Sequence, residues 1–168
     1  MRIEAKELQY SALNDAVRSS KDRSVEIFGC IGQRYLGAGL SDKDIVVHGT
    51  PGNALGAYLS GGSITVDGNV QEATGDTMNG GTIEVHGRAG DATGYAMRGG
   101  KILIEGDVGY RCGIHMKAYR TQRPVIVIGG RAGSFLGEYQ AGGLIVVLGE
   151  SNGPIVGNFC GTGMHGGE

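Results

Sequence analysis

Short apolar segments recur along this chain at a nearly constant interval: DIVVHG, GSITVDG, GTIEVHG, GKILIEG, VIVIGG and LIVVLG. In each segment apolar residues alternate with a period of two, which is typical of a strand with one buried face. Because residues two apart share a face of a strand, the aligned segments predict two inward columns. They are Ile45, Ile64, Ile83, Ile102, Ile126 and Ile145 and, two positions later, Val47, Val66, Val85, Ile104, Ile128 and Val147.

The residue between the two inward columns is predicted to face outward. This outer column is Val46, Thr65, Glu84, Leu103, Val127 and Val146, so it changes from partly polar to apolar along the chain. An apolar stripe on the outside of a sheet predicts a surface that a partner covers. A further apolar column, Leu40, Leu59, Met78, Met97 and Met116, predicts another wall of the core.

Two glycine series share this period, since neighbouring members are 56 − 37 = 19 residues apart. The first series is Gly37, Gly56, Gly75, Gly94 and Gly113, and the second is Gly49, Gly68, Gly87, Gly106, Gly130 and Gly149. Between Gly106 and Gly130 the interval is 24, so 24 − 19 = 5 extra residues are predicted to form a loop within MKAYRTQRP. Gly137 then continues the first series.

A unit of this length holds a strand and a turn but no crossover helix, and it cannot bury its own apolar face. The pattern therefore predicts an all-β fold, a right-handed parallel β-helix of about six to seven coils with about 19 residues each. Residues 1–23 are predicted as an N-terminal segment with a capping helix, and residues 24–168 as the β-helix. The glycines are predicted at corners, where Gly81→Val or Gly100→Val would cost several kcal/mol.

Both ends of such a solenoid expose unpaired backbone groups. The segment LQYSALNDAVRSSK predicts a short helix with Ser11 as its N-cap, whose Leu13, Ala16 and Val17 cover the first coil. At the other end, GNFCGTGMHGGE stops where a strand is expected to begin. Two interpretations stay open there: a trimmed chain, or an end that a partner completes, including self-association.

Composition narrows the function classes. With 34 glycines but only 3 prolines and 40% hydrophobic residues, the chain is neither collagen-like nor disordered. Its net charge of −2 gives no reason to expect nucleic acid or an anionic membrane as a partner. No apolar run approaches the ~20 residues of a membrane span, and the start of the sequence is polar rather than leader-like. Its three separated cysteines form no CxxC pair, which disfavours zinc or iron–sulfur ligation and predicts a cytoplasmic protein.

One outward column carries groups that titrate or bind metals: His48, Asp67, His86 and Glu105. Stacked about 5 Å apart, these groups could bind a metal ion through His48 and His86, or relay protons. The alternative is a solvated ladder in which alternating charges keep like charges apart. The sequence favours the ladder, because no third ligand is identifiable.

No catalytic or cofactor-binding residue is predicted. His115 and His165 lie in glycine-rich turns without a recognisable nucleophile or carboxylate partner. Cys112 falls in a column of small or apolar residues, which predicts burial. The glycines lack the following helix of a dinucleotide fingerprint. On the irregular loop the candidate partner contacts are Lys117, Tyr119, Arg120 and Arg123, against the alternative of an ordinary solvated loop.

The repeated pattern G-x-x-x-G-x-x-x-x-G-G-x-I-x-V-x-G resembles the GXGXG domain, the C-terminal part of the glutamate synthase large subunit. A related repeat occurs in one polypeptide of formylmethanofuran dehydrogenase. The stretches GNALGAYLSGGSITVDGNV and GEYQAGGLIVVLGESNGPIVGNFCGTGMHGG are similar to the glutamate synthase version in particular. The resemblance covers roughly residues 24 to 167.

In glutamate synthase an amidotransferase domain releases ammonia from glutamine, and a domain with FMN and an iron–sulfur cluster reduces 2-iminoglutarate. The resemblance implies that this β-helix is a non-catalytic structural domain or subunit of that oxidoreductase complex, in glutamate biosynthesis and nitrogen metabolism, and that it docks the other two domains. Two alternatives stay open. One is a scaffold in a formylmethanofuran dehydrogenase-type complex, and the other is an independent β-helix enzyme acting on polysaccharide.

Overall fold

The computed structural model describes residues 1–150 and 152–168. The elements of this part of the chain are β1 (Arg2–Glu4), α1 (Tyr10–Ser19), β2 (Ser24–Ile31), β3 (Asp44–Thr50), β4 (Ser60–Asp67), β5 (Gly80–Val85), β6 (Lys101–Ile104), β7 (Val125–Ile128) and β8 (Leu144–Val147). Each strand pairs in parallel with the next, from β1 to β8. The fold is thus a β-solenoid of about seven turns with about 19 residues per turn, as the apolar period predicted.

The register between strands places like residues on like. Ile45 pairs with Ile64, Ile64 with Ile83, and the ladder continues through Ile102 and Ile126. Both predicted inward columns are buried as far as β7 and half-buried on β8. The Leu and Met column is buried too, which confirms a second wall of the core.

A buried amide ends that second wall. Gln140 follows Met116 in the column and is 2% exposed. Its Nε2 donates to the carbonyl oxygens of Gly143, at 3.3 Å, and Glu168, at 3.4 Å. These bonds satisfy a polar group that the apolar pattern did not anticipate.

In the turn of each coil, every second residue adopts a left-handed backbone conformation. Besides the first glycine series, the residues two positions before and after it have positive φ: Tyr35, Ala54, Ala73, Ala92, Arg111, Phe135, Phe159, and Tyr58, Thr77, Ala96, His115, Tyr139. The turn is held by bonds between coils, since Ala92 N donates to Tyr110 O at 2.8 Å and Gly94 N to Thr74 O at 2.8 Å. Non-glycine residues therefore adopt this backbone as well, and the bonds between coils offset its strain.

A glycine pair at or just before the start of β4, β5, β6 and β8 forms the other corner. Gly81 and Gly100 both have φ of +79°, and a Cβ on Gly100 would lie 2.8 Å from Gly81 O. The close approach of coils and the left-handed backbone together confirm the predicted corner. In the second series, positive φ occurs at Gly49, Gly68 and Gly149.

The N-terminal cap combines α1 with a strand that the sequence pattern did not predict. Leu13 and Val17 are fully buried and Ala16 packs against the core, so the helix covers the first coil as expected. Ser11 is not the N-cap: the helix begins at Tyr10, the N-cap is Gln9, and its side chain makes no capping bond. β1 extends the sheet by pairing with β2. The helices of the described chain include none that is both long and apolar enough to cross a membrane.

Two insertions interrupt the period. The predicted loop lies between Met116 and Pro124, where Tyr119 and Gln122 form an antiparallel bridge. The sequence pattern did not reveal a second insertion, which follows Gly149. Up to that point the coils keep their spacing, since Gly149 N donates to Gly130 O. The next bond between the same coils spans more residues, since Ala132 N donates to Ile155 O. Gly161, which is 161 − 137 = 24 residues after Gly137, is the signal that would have revealed it.

Candidate functional site: the outer face and the insertion loop

The outer surface of the sheet is apolar over its last three strands. On β6 the outward positions are Lys101 and Leu103, followed by Glu105 just beyond the strand. Leu103 pairs with Val127, and Val127 with Val146. We call the following set the apolar face: Leu103, Val125, Val127, Leu144, Val146 and Leu148. Leu148 is 57% exposed and the others are half-buried.

A depression of about 360 Å³ opens at the strand ends of this face. Its floor includes Leu103, Val127 and Gly129, and Leu148 lies at its edge. Gly129 occupies the column between Glu105 and Leu148 and has no side chain, so a gap remains there. Three carboxylates, Glu84, Glu105 and Glu150, form what we call the acidic rim. The depression is therefore apolar below and negative at its edge.

The outward column that was a candidate metal site forms hydrogen-bonded pairs between coils. His48 Nε2 lies 3.0 Å from Glu26 Oε1, and His48 Nδ1 lies 3.0 Å from Asp67 Oδ2. The ring also stacks on Phe28, with centroids 4.5 Å apart. The hydrogen bond to Glu26 raises the pKa of His48, and Asp67 adds to this against a lowering by partial burial.

His86 belongs to a separate pair. Its Nδ1 lies 3.2 Å from Glu105 Oε2, and its Nε2 lies 3.9 Å from Glu84 Oε1. Within residues 1–150 and 152–168, no group of three or more His, Cys, Asp or Glu side chains could hold a metal ion. The arrangement fits the charge-ladder interpretation, in which each imidazole separates carboxylates.

The insertion loop projects as a short, ordered turn. Tyr119 N donates to Gln122 O at 3.1 Å, and Gln122 N donates to Tyr119 O at 2.9 Å. Tyr119 is 51% exposed, and the Arg120 guanidinium lies 5.1 Å from its ring centroid. Arg123, in contrast, is 2.8 Å from Glu168 Oε1 and so has a partner within the chain. Lys117, Tyr119 and Arg120 form the exposed, basic part, which we call the loop tip.

An aromatic edge follows the turns of the later coils, and the sequence interpretation missed it. His115 stacks on Tyr139 with centroids 5.2 Å apart, and Tyr95 meets it edge-on at 5.9 Å. Phe135 stacks on Phe159 at 5.1 Å. Within each of these two sets the rings contact one another, so the aromatic side chains pack between successive coils. His115 therefore has ring neighbours, and the backbone of His165 donates to Gln140 O at 2.7 Å.

The turn also holds an ion pair between coils. Arg111 Nε lies 3.2 Å from Glu138 Oε2, and the Arg111 guanidinium covers Phe135 at 4.4 Å. The Glu138 side chain is only 11% exposed, and this oxygen accepts no hydrogen bond from the residues that the structure describes. Arg111 is therefore the charge that compensates a buried carboxylate.

Two of the three cysteines lie in the core. Burial raises the pKa of Cys112 to about 12 and that of Cys30 to about 11. Cys160 shares the column of Cys112 but is exposed on the last coil. The predicted burial of Cys112 is confirmed, and its thiol is poorly suited to nucleophilic chemistry.

The fold and these surfaces define a glycine-rich parallel β-solenoid with one apolar outer face. The chain belongs to the GXGXG motif family, and the match to this family covers residues 6–168. It is also similar to an uncharacterized protein of Methanocaldococcus jannaschii, with 46% identity over 177 aligned residues that cover 98% of this chain and 68% of the relative. Solved structures offer no match.

Proposed function

We propose that this chain is a non-catalytic scaffold of a glutamate synthase complex, and that it holds the amidotransferase and the flavin and iron–sulfur polypeptides in a fixed relation. The observation that carries the proposal is family membership over nearly the whole chain, together with the strict stacking of the coils. Each coil pairs with its neighbours in one continuous sheet, so residues on different coils are held at defined spacings, which suits a scaffold. The proposed location is the cytoplasm, where free thiols such as these persist.

The loop tip is the docking element that we assign to those polypeptides. It combines a solvent-facing aromatic ring, Tyr119, with Arg120, and both residue types are enriched at protein interfaces; Lys117 adds a second positive charge. Its turn is closed by backbone hydrogen bonds, so little conformational entropy is lost on docking. The loop also breaks the repeat, and such interruptions often carry contacts.

Affinity purification of the tagged full chain from native extract tests this proposal. We expect the amidotransferase and flavin polypeptides to co-purify with the wild type, and to be lost with a Lys117→Ala, Tyr119→Ala, Arg120→Ala variant. A control of matched composition, Lys6→Ala, Tyr58→Ala, Arg88→Ala, changes exposed residues away from the insertion loop and should retain both polypeptides. Recovery of molybdopterin-containing polypeptides would instead support the formylmethanofuran dehydrogenase alternative. Recovery of neither set would overturn the proposal.

A further inference from the structure

We infer that the apolar face is an interface between two copies of this chain, packed sheet on sheet about a two-fold axis that runs along the solenoid. The association needs only this chain, so it stands apart from the proposed scaffold role. It also differs from self-association at the end of the solenoid, because the contact is through the side of the sheet.

The first reason is charge complementarity along β6. The outward residues are a cation, Lys101, and an apolar residue, Leu103, on the strand, and an anion, Glu105, just beyond it. A two-fold axis along the solenoid reverses the strand direction of the second copy, so its Glu105 would face Lys101 while the two Leu103 side chains meet. Lys101 has no ion-pair partner among the residues that the structure describes. A second copy supplies one.

The second reason is a fit between shapes. Under the same two-fold axis, the column at the strand starts faces the column at the strand ends of the other copy. Val125 then lies opposite Gly129, where the missing side chain leaves the depression of about 360 Å³. Leu144 lies opposite Leu148 by the same rule, so the most exposed apolar side chain of the face becomes covered. Filling a gap with an apolar group recovers contacts that water does not provide.

The alternative two-fold axis, along the strands, is disfavoured by the same residues. It keeps the strand direction and reverses the order of coils, so strand starts would face strand starts. With β7 at the centre, Lys101 and Glu105 would lie against Leu144 and Leu148 of the other copy. Both charges would lose water without gaining a partner, which costs free energy.

The area of the apolar face determines how tightly two copies are expected to bind each other. Three strands about 4.8 Å apart, with outward side chains about 6.7 Å apart, cover about 300 Å² on each copy. A standard stable interface buries about 800 Å² per partner. At the next strand, β5, the outward middle residue is Glu84, which would face itself and so limits the contact. We therefore expect a reversible dimer with a Kd between about 10 μM and about 1 mM.

Sedimentation equilibrium of the full chain tests the interface, over about 5 μM to about 1 mM protein at low salt. The wild type should dimerise, and Val127→Glu should stay monomeric. Val46→Glu is the matched control, because Val46 occupies the same half-buried outer column on β3, and it should dimerise like the wild type. A wild type that is monomeric throughout, or equal behaviour of the two variants, would overturn the inference.

A charge exchange tests the two-fold axis itself and uses exposed residues that leave the fold intact. Lys101→Glu and Glu105→Lys should each weaken dimerisation at least about fivefold, because each places like charges opposite one another. The double variant restores opposite charges across the axis and should return the Kd to within about twofold of wild type. Failure of the double variant to recover would exclude this axis, since the two side chains within one copy lie four residues apart along the chain and do not pair.

Discussion

Ala92 and Gly94 adopt the same left-handed backbone two residues apart in one turn, with φ of +55° and +70°. Their surroundings differ. A Cβ on Gly94 would lie 2.5 Å from Ile126 Cδ1 in the isoleucine ladder, whereas the Cβ of Ala92 is already accommodated. Both positions therefore share the left-handed conformation, but only Ala92 bears its strain, and only Gly94 has no room for a Cβ.

Substitutions at these two positions should have unequal effects on stability. Gly94→Ala adds left-handed strain of about 1–2 kcal/mol and overpacking of about 1–3 kcal/mol, so we expect a loss of about 2–5 kcal/mol. Ala92→Gly relieves the strain but raises the entropy of the unfolded chain, so its net effect should stay within about 1 kcal/mol. Urea unfolding of both variants measures the difference, and equal losses would refute the packing explanation.

The His48 bridge predicts a pH dependence of stability. Because Glu26 and Asp67 raise the pKa of His48 in the folded protein, the charged imidazole stabilises the fold fully below its unfolded pKa of about 6.5. This stabilisation is lost as the pH rises through the higher folded-state pKa. The difference in melting temperature between wild type and His48→Gln should therefore shrink from about pH 6 to about pH 8.5. A difference that is constant over this range would contradict the bridge.

NMR titration separates the two carboxylates of that bridge. Glu26→Gln and Asp67→Asn should each lower the pKa of His48, and the Glu26 change should have the larger effect because its hydrogen bond is the main cause of the shift. An unchanged titration curve in Glu26→Gln would show that the bond to Nε2 does not persist in solution.

The ion pair between Arg111 and Glu138 predicts that substitutions of the two residues have non-additive effects on the free energy of unfolding. Arg111→Met leaves the Glu138 carboxylate buried without a cation, and we expect a loss of about 2–4 kcal/mol. Glu138→Gln in the same chain removes the buried charge, so the double variant should regain at least about 1 kcal/mol. Denaturant unfolding of the single and double variants gives the coupling free energy between Arg111 and Glu138. Additive losses would mean that the pair is not formed.

The three cysteines should differ in their reactivity toward a thiol reagent, because they differ in solvent exposure. In the native protein a thiol reagent should modify Cys160 alone, because Cys30 and Cys112 are buried and burial raises their pKa values. All three should react in denaturant. The Cys160→Ser variant is the control, and rapid native labelling of that variant would contradict the burial of the other two.

The repeat could be read from the sequence because stacking repeats one environment in every coil. Ile64 and Val66 alternate with outward residues, and the same alternation recurs in register, so fold and core were predictable. The left-handed turn at Ala92 was not, since its stability comes from hydrogen bonds between coils that no local pattern records. The pairing of His48 with Glu26 was missed for a related reason: the register between β2 and β3 depends on an irregularity near Gly29.

Surface function was less predictable than the core. The apolar outer column from Leu103 onward was visible in the sequence, but the gap at Gly129 depends on its neighbours in three dimensions. The break in the period correctly predicted where the insertion loop lies. Arg123 was grouped with it on sequence grounds, although the structure pairs this residue with Glu168.

The scaffold role is tested most directly by glutamate formation from glutamine in a mixture of the purified amidotransferase and flavin and iron–sulfur polypeptides. Adding this chain should raise the glutamine-dependent rate and leave the ammonia-dependent rate of the flavin polypeptide unchanged, because a scaffold couples the two sites without acting on either. The loop-tip variant should lack this effect. An unchanged glutamine-dependent rate on adding the wild-type chain would contradict the account.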